Sequence, residues 1–546
     1  MRIPKNIRDN LRFLIAEVGS QVAILRGCFK SSTKADARRI LERSGYAYNL
    51  MLRIHESCQN RSAGSGKPVS AISAARAIES IATELERISS LCRLCVKQME
   101  QLESRPWRGA ATYRTMLKKV GKAIEQVEAA VRSDDTRLAM KISRIKPGLD
   151  KSYNTLLNKY MAGLRKNKHT EDLVTGLFMA HGVDQMGDAL LDISEAIISA
   201  NLGQPMNIDR YHSLRASMEQ LESVDDPSAL VVEPLAETRS GSGISSISLP
   251  GRRAGDYVAI YKDGKKRKLR EERRGLKSWQ QKIPGLTPRM LAYRKRGQSA
   301  SLLIEHLSGL TFEQVLLHES PGLLKEALTQ LNTTMARVWR ETRSSKPVAA
   351  GYMRQLSRRL EDVYMIHPEV RQRDCHICGQ TVPSFGALLK KAHSREAQLR
   401  PPFSVYIHGD FNVDNIIYDP VEKKISFIDL HRSRYMDYVQ DVSVFMVSNY
   451  RLQIFDAAMR RRLLELTHAC YRFASASARK SGDRTFELRL ALGLARSFAT
   501  STRFILDKSL ARAMFLRARY LMEQVVATKP ADAKSFRVPV REIFIG

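Results

Sequence analysis

Apolar residues recur three and four positions apart in nearly every window from about Asn6 to Leu221. Leu11, Leu14, Ile15 and Val18 are one such set, and Ile78, Ile81, Leu85, Ile88, Leu91 and Cys95 another. That spacing lines one face of a helix. Glycine, proline and polar clusters interrupt it at Gln59–Pro68, Glu103–Gly109, Pro147–Gly148 and Gly203–Pro205. The pattern predicts a succession of antiparallel helices long enough to form bundles. Ser223–Pro250 is rich in serine, glycine and proline and marks a boundary. Beyond it the runs become strand-like at Tyr257–Tyr261, Arg289–Tyr293 and Ser301–Ile304, with a helix over Leu269–Lys282. Pro401–Asp429 predicts strand, loop, strand, with FSVYI and ISFID flanking DPVEKK. Gln453–Val526 is helical again, and Phe536–Ile545 is β-prone but broken by Pro539, which predicts an edge element.

Length adds that 546 residues exceed one core, with about three to four domain-sized units as the prior. No apolar run reaches the roughly 18–20 residues needed to span a bilayer. The first residues scatter charge through MRIPKNIRDNLRFLIAEVGS, so no signal peptide is expected. Seven cysteines, an odd number, suggest no disulfide framework. Together these features predict a reducing, cytoplasmic setting. The formal charge of +32 favours anionic partners, unless it is only a solvated basic surface. Lys262–Arg296 holds fourteen Lys/Arg against Asp263, Glu271 and Glu272, but only Trp279 and Tyr293 as aromatics. That is no stacking platform, and no nucleic-acid motif appears, so nucleic acid is not the expected partner.

The candidate chemistry lies in His408-Gly409-Asp410-Phe411-Asn412-Val413-Asp414-Asn415, followed by Ile428-Asp429. Phosphoryl transfer needs a carboxylate near the acceptor hydroxyl and oxygen ligands for Mg²⁺. An Asp and an Asn five apart on a loop, then an Asp closing an apolar strand, supply that set at one end of a small sheet. A polar turn between two strands is the bland alternative, and the spacing argues against it.

These residues resemble the aminoglycoside phosphotransferase and choline kinase family, relatives of protein kinases whose catalytic loop reads HGDxxxxN. The resemblance implies Asp410 as catalytic base, Asn415 and Asp429 as metal ligands, and His408 as a brace for the loop. It implies Asp441, in MDYVQDVSVF, as the anchor of the following helix. It also implies ATP and Mg²⁺ as cofactors. Upstream, Lys262 at the end of YVAIYK looks like the lysine that pairs nucleotide phosphates. Glu272, with Leu276 and Trp279 on the same helical face, is its expected partner, and Glu271 the fallback. Glu305 to Leu307, in LLIEHLSG, looks like the hinge that meets adenine through its backbone. Ser240–Ser246, with Gly241 and Gly243, is either a phosphate-covering loop or a flexible linker. The resemblance runs from about Thr238 to Val526, and its specific part is Tyr406–Asp441.

In the helical half, LERISS at Leu85–Ser90 and VDQMGD at Val183–Asp188 lie about a hundred residues apart on long helices. They resemble the internal repeat of PhoU-type phosphate-regulation proteins, whose three-helix bundles carry an ERIGD-like signature. Ser90 stands where the first repeat would carry aspartate. Asp184 and Asp188, at i and i+4, keep the carboxylate pair and form either a second metal site or a solvated acidic face. Cys375 and Cys378 have half a zinc site's spacing, with His367 or His393 to complete it. Ordinary reduced thiols are the alternative.

The expected organisation is multidomain: an all-α PhoU-like helical bundle over 1–222, a linker over 223–245, and an α+β two-lobed protein-kinase-like domain over 246–528. Within that domain 246–310 would be the N-lobe and 311–528 the C-lobe, with 529–546 as a tail. The expected activity is ATP-dependent transfer of the γ-phosphate to a hydroxyl of a small molecule or protein, with the helical module regulating it. The alternative is a nucleotide-binding regulatory protein, pseudokinase-like, in phosphate signalling, with a phosphate-regulation protein as partner. Little surplus acid is available to hold a cationic antibiotic, so the acceptor is expected to be neutral or anionic rather than cationic.

Overall fold

The computed structural model describes residues 4–30, 34–62, 69–102, 109–133, 135–166, 169–203, 205–219, 231–237, 243–248, 257–454 and 456–545. The chain divides into two compact units, Met1–Asp256 and Tyr257–Gly546. Among the described residues, no helix is long and apolar enough to cross a membrane.

The first unit turns the three–four periodicity into α1 (Lys5–Cys28), α2 (Lys34–Ser62), α3 (Val69–Glu100), α4 (Ala110–Ser133), α5 (Thr136–Ser143), α6 (Lys146–Leu164), α7 (Thr170–Leu202) and α8 (Ile208–Met218). Leu11, Leu14 and Val18 of α1 are buried, as are Ile78, Ile81, Leu85 and Ile88 of α3. The stripes read from the sequence are thus the faces that meet: α3 packs on α7 and α2, and α1 on α2 and α4. α6 approaches α7 so closely at Gly187 that a Cβ there would lie 2.6 Å from Leu149 Cδ1. Glycine is what that crossing allows. The break expected at Pro147 falls just before it, because proline sits in the first turn of α6, where its missing N–H costs nothing. A further break, between α4 and α5, comes at Asp135, whose side chain accepts from the Arg137 amide as an N-cap.

β1 (Val231–Glu237) and β2 (Gly243–Ser248) then form an antiparallel pair with Glu237 opposite Gly243. The stretch expected as linker is therefore strand over 231–237 and 243–245. Its small residues suit close strand pairing as readily as a flexible coil.

The second unit opens with β3 (Tyr257–Lys265), α9 (Lys266–Lys282), β4 (Met290–Arg296) and β5 (Ser299–Glu305). β5 lies between β3 and β4, antiparallel to both, with Lys262 opposite Leu302. α9 buries Leu269, Glu272, Leu276 and Trp279. Trp279 meets Tyr406 and Phe427 edge-on, and its Nε1–H donates to Ser433 Oγ at 2.8 Å. These contacts tie α9 to the strands that carry the His408–Asn415 loop.

Next come β6 (Leu310–Thr311), α10 (Phe312–His318), α11 (Pro321–Glu341), α12 (Tyr352–Ile366), β7 (Cys375–Ile377), β8 (Gln380–Val382) and α13 (Phe385–Glu396). β9 (Val405–Ile407), β10 (Ile416–Asp419), β11 (Lys424–Phe427) and β12 (Arg434–Met436) follow. β10 pairs with β11 and β6, and β9 with β12. α14 (Val439–Tyr450), α15 (Ala457–Lys480), α16 (Phe486–Ser501) and α17 (Lys508–Ala527) complete a helical lobe around a continuous apolar core. Its core also holds charge: Arg489 pairs with both Asp437 and Asp483, and Tyr438 donates to Asp483.

The tail corrects an expectation. It ends not in an edge strand but in the short helix α18 (Val540–Ile543), begun by Pro539 as N-cap. Phe544 packs on Tyr450 and Phe498, and Tyr450 donates to the Ile545 carbonyl.

Candidate active site

Within the second unit, Lys262, Glu272 and Asp429 come together. Lys262, on β3, places Nζ 2.6 Å from Glu272 Oε1 on α9 and 3.9 Å from Asp429 Oδ1. Both Lys262 and Glu272 are buried, whereas Glu271 is half exposed and faces Arg267 at 3.7 Å. Burial alone would lower the Lys262 pKa, but the charges of Glu272 and Asp429 outweigh it and hold it above its usual value. The ammonium is therefore kept protonated and pinned.

The loop between β9 and β10 is fixed from both sides. Its glycine, Gly409, has φ +86°, and a Cβ there would lie 2.5 Å from the Arg432 carbonyl oxygen. Both crowding and backbone region exclude a side chain. The His408 and Gly409 amides donate to the two Asp441 carboxylate oxygens at 2.7 and 2.8 Å. Burial pushes the Asp441 carboxyl up to about 7 against the pull of those amides. His408 Nε2 lies 2.8 Å from the Ile428 carbonyl, and the Asp410 amide donates to His408 Nδ1 at 3.3 Å. The two contacts together fit a neutral ring with its proton on Nε2. Burial also lowers the His408 pKa.

Asp410 is held further through its carboxylate and its carbonyl. Arg432 Nη1 lies 2.8 Å from its Oδ1, Asn412 Nδ2 donates to the same oxygen at 3.1 Å, and Asn415 Nδ2 donates to its carbonyl at 2.9 Å. Asp429 follows β11 with φ +60°, an unusual conformation for a residue with a side chain. His431 Nδ1 lies 3.3 Å from its carboxylate. Burial would raise the Asp429 pKa, but Lys262 and His431 hold the carboxyl well below the usual range. Strand β3, helix α9, the β9–β10 loop and the residue after β11 thus supply a lysine–glutamate pair, two aspartates and an oriented asparagine amide.

Elsewhere the predicted residues are less concentrated. Glu305 closes β5 opposite Ala259, and its carboxylate binds the Arg289 guanidinium at 3.2 Å. Leu307, two residues on, is half-buried. Gly243 opens β2 as strand, and Gly241 lies outside the described residues.

Asp184 and Asp188, on α7, do not face solvent as a free acidic pair. Lys146 Nζ reaches Asp188 at 2.7 Å, Asp150 at 2.9 Å and Asp184 at 3.2 Å. Lys146 is the cation that these carboxylates face.

Cys375 and Cys378, the candidate half of a zinc site, lie at the surface, exposed on the β7–β8 hairpin. His367 is buried, with Nε2 at the Thr502 and Ile505 carbonyls. Among the described residues, no group of three or more His, Cys, Asp or Glu gathers as a metal site.

Sequence reasoning missed a set of arginines. Arg359 on α12, Arg496 on α16 and Arg503 just after it all lie within reach of the charges of Asp410 and Arg432, and Arg432 itself meets Asp410 at 2.8 Å. Arg496 gives the missed signal: a lone cation inside the apolar run LALGLARSFA.

Residues 253–476 match the family model described as the phosphotransferase enzyme family, and residues 113–197 match the PhoU domain. No curated protein matches the chain. Among solved structures, the chain is similar to PhoU from Pseudomonas aeruginosa at 19% identity and a TM-score of 0.35, covering 37% of this chain and 97% of that one. It is similar to an aminoglycoside-3'-phosphotransferase of type VIII at 18% identity and a TM-score of 0.33, covering 52% and 97%. It is also similar to a Plasmodium vivax ethanolamine kinase at 10% identity and a TM-score of 0.35, covering 59% and 90%. The C-terminal part thus carries a phosphotransferase-family segment, and the N-terminal part a PhoU-type one.

Proposed function

We propose that the second unit is an ATP- and Mg²⁺-dependent kinase that transfers the γ-phosphate to a hydroxyl, and that the PhoU-like helices regulate it. One observation carries this reading: Asp429, in the segment that follows β11, comes within 3.9 Å of the Lys262 ammonium that Glu272 holds. A nucleotide-phosphate site needs cation and metal-binding carboxylate at that spacing, and a core needs neither.

The donor set fits the cofactors. Asn415 and Asp429 offer hard oxygens, which suit Mg²⁺. Asn415 is anchored through its nitrogen, so its oxygen is the end left for a cation. Asp429 is ionised and held in a constrained backbone. When bound, the metal would neutralise phosphate charge, as it does across this chemistry.

The chain's own residues do the rest. Lys262 steadies the phosphates, and Glu272 keeps its ammonium in place. Asp410 orients the acceptor hydroxyl and accepts its proton at a carboxylate oxygen. His408 and Asp441 keep the loop rigid, so the carboxylate loses little entropy in reaching that geometry. Glu305 to Leu307 would face adenine. The kinase region would run over 246–528.

The contact between Arg432 and Asp410 supports a second reading, a nucleotide-binding regulatory protein in phosphate signalling. In that reading Asp410 is a structural anion, neutralised permanently. The two are separated by Mg²⁺-dependent ATP consumption across sugars, amino alcohols, nucleosides and candidate proteins. Transfer that disappears in Asp429→Ala supports the kinase; nucleotide binding without transfer to any acceptor supports the regulator.

A further inference from the structure

The charge around Asp410 is not balanced. Arg496 stands on α16 with only 5% of its surface exposed, and its Nε and Nη2 are buried without a hydrogen-bond partner. A buried guanidinium normally satisfies its donors, because stripping water from them without replacement is expensive. Arg503, in the turn that follows, also has a buried Nε without a partner, while its Nη1 reaches Asp362 at 3.3 Å. Arg359 lies on α12, which packs against both α16 and that turn. Arg432 comes from the loop after Asp429 and reaches Asp410. Burial, with the nearby charges of Arg359 and Arg432, pulls Arg496 down to about 10. Three chain segments, α12, the loop after Asp429 and α16 with its following turn, therefore bring cations near Asp410.

The anions present do not match them. Asp362 and Asp410 face the four guanidinium groups. Asp441 is also near Arg496, but its oxygens are committed to the His408 and Gly409 amides. Even with Asp441 fully ionised, the pocket stays positive. Arg489, one helical segment away, shows what a satisfied buried arginine looks like here: it sits between Asp437 and Asp483.

We propose that Arg359, Arg432, Arg496 and Arg503 form an anion subsite for the acceptor, so that the alcohol phosphorylated at Asp410 already carries a phosphoryl group. A phosphomonoester brings close to two negative charges and three acceptor oxygens. Guanidinium forks approaching from several directions match that tetrahedral group better than they match a planar carboxylate. Arg432 has a dual place in this arrangement. In the free protein it lies on Asp410; with the acceptor's phosphate bound, it has a second anion to share. The carboxylate is then freer to face the hydroxyl.

This inference rests on Asp410 as the transfer site, and the test separates the two. Melting of the full chain is followed against inorganic phosphate and glycerol 3-phosphate, with glycerol as the uncharged control. The proteins are wild type, Arg496→Met, Arg359→Gln and Lys262→Met. Wild type and Lys262→Met are expected to gain stability with both anions and not with glycerol. Arg496→Met and Arg359→Gln are expected to bind them about tenfold or more weakly, the effect of losing a charge-assisted contact. Arg496→Met is also expected to melt higher than wild type without anion, since it removes an uncompensated buried charge. That result also shows that the variant folds.

An anion effect lost in Lys262→Met but kept in both arginine variants would place phosphate at the nucleotide side and overturn the subsite, leaving the kinase reading intact. No anion effect in wild type would overturn it as well.

Discussion

Lys262 Nζ and Glu272 Oε1 meet at 2.6 Å with both side chains buried. Removing one partner strands the other charge away from water. Lys262→Met is expected to lose about 3–5 kcal/mol of stability, as for breaking buried pairs generally. The double variant Lys262→Met/Glu272→Leu is expected to regain much of that stability while remaining inactive. Chemical denaturation beside an ATP-consumption assay reads both. Recovery of activity along with stability would make the pair structural rather than functional.

His408 supplies a pH dependence of definite sign. Its folded pKa is lowered from 6.5, with burial as the leading cause. Between the folded value and 6.5 the unfolded chain binds a proton that the native ring refuses. Stability from this group is therefore complete above 6.5 and is lost as pH falls through the folded value. Protonating Nδ1 also removes the acceptor for the Asp410 amide, so the loop should slacken together with the fold. Melting temperature followed from about pH 8 to about pH 5 should fall more steeply in wild type than in His408→Gln. Parallel curves would remove His408 as the titrating brace.

Arg489 carries a prediction about the helical lobe alone. It is enclosed with Asp437 and Asp483 in the core. Arg489→Met leaves both carboxylates without their cation and should cost about 3–5 kcal/mol. Urea unfolding reads that loss, and a change below about 1 kcal/mol would show that the triad contributes little.

In the helical unit, Lys146 holds Asp150, Asp184 and Asp188. Lys146→Met should destabilise that unit by about 1–3 kcal/mol, the penalty for charged groups left without partners. Adding Mg²⁺ or Mn²⁺ should restore part of the loss in the variant and do little to wild type. Equal metal responses in the two proteins would argue that the carboxylates are not competing for Lys146.

Much of the site could be read from the sequence because its chemistry is local. His408, Asp410, Asn415 and Asp429 fall within one short stretch of three strands, β9 to β11, where the sequence pattern showed only two, and Glu272 shares a helical face with Leu276 and Trp279, all three buried. What could not be read depends on distant segments. Arg432, Arg359, Arg496 and Arg503 meet only once α12 and α16 have packed, and no periodicity encodes that meeting. The same holds for Lys146, which reaches Asp184 from another helix. The tail misled for a different reason: β-prone residues after Pro539 turn into a helical cap because Phe544 finds Tyr450 and Phe498.

The most direct test of phosphoryl transfer at the loop is Mg²⁺-dependent ATP consumption with an acceptor panel, comparing wild type with Asp410→Asn. The substitution keeps the side chain's size and its hydrogen bond to Asn412 while removing the carboxylate. Acceptor-dependent consumption is predicted to fall about 10²–10⁴-fold, the usual effect of losing a positioned base. An unchanged rate in Asp410→Asn would contradict the account.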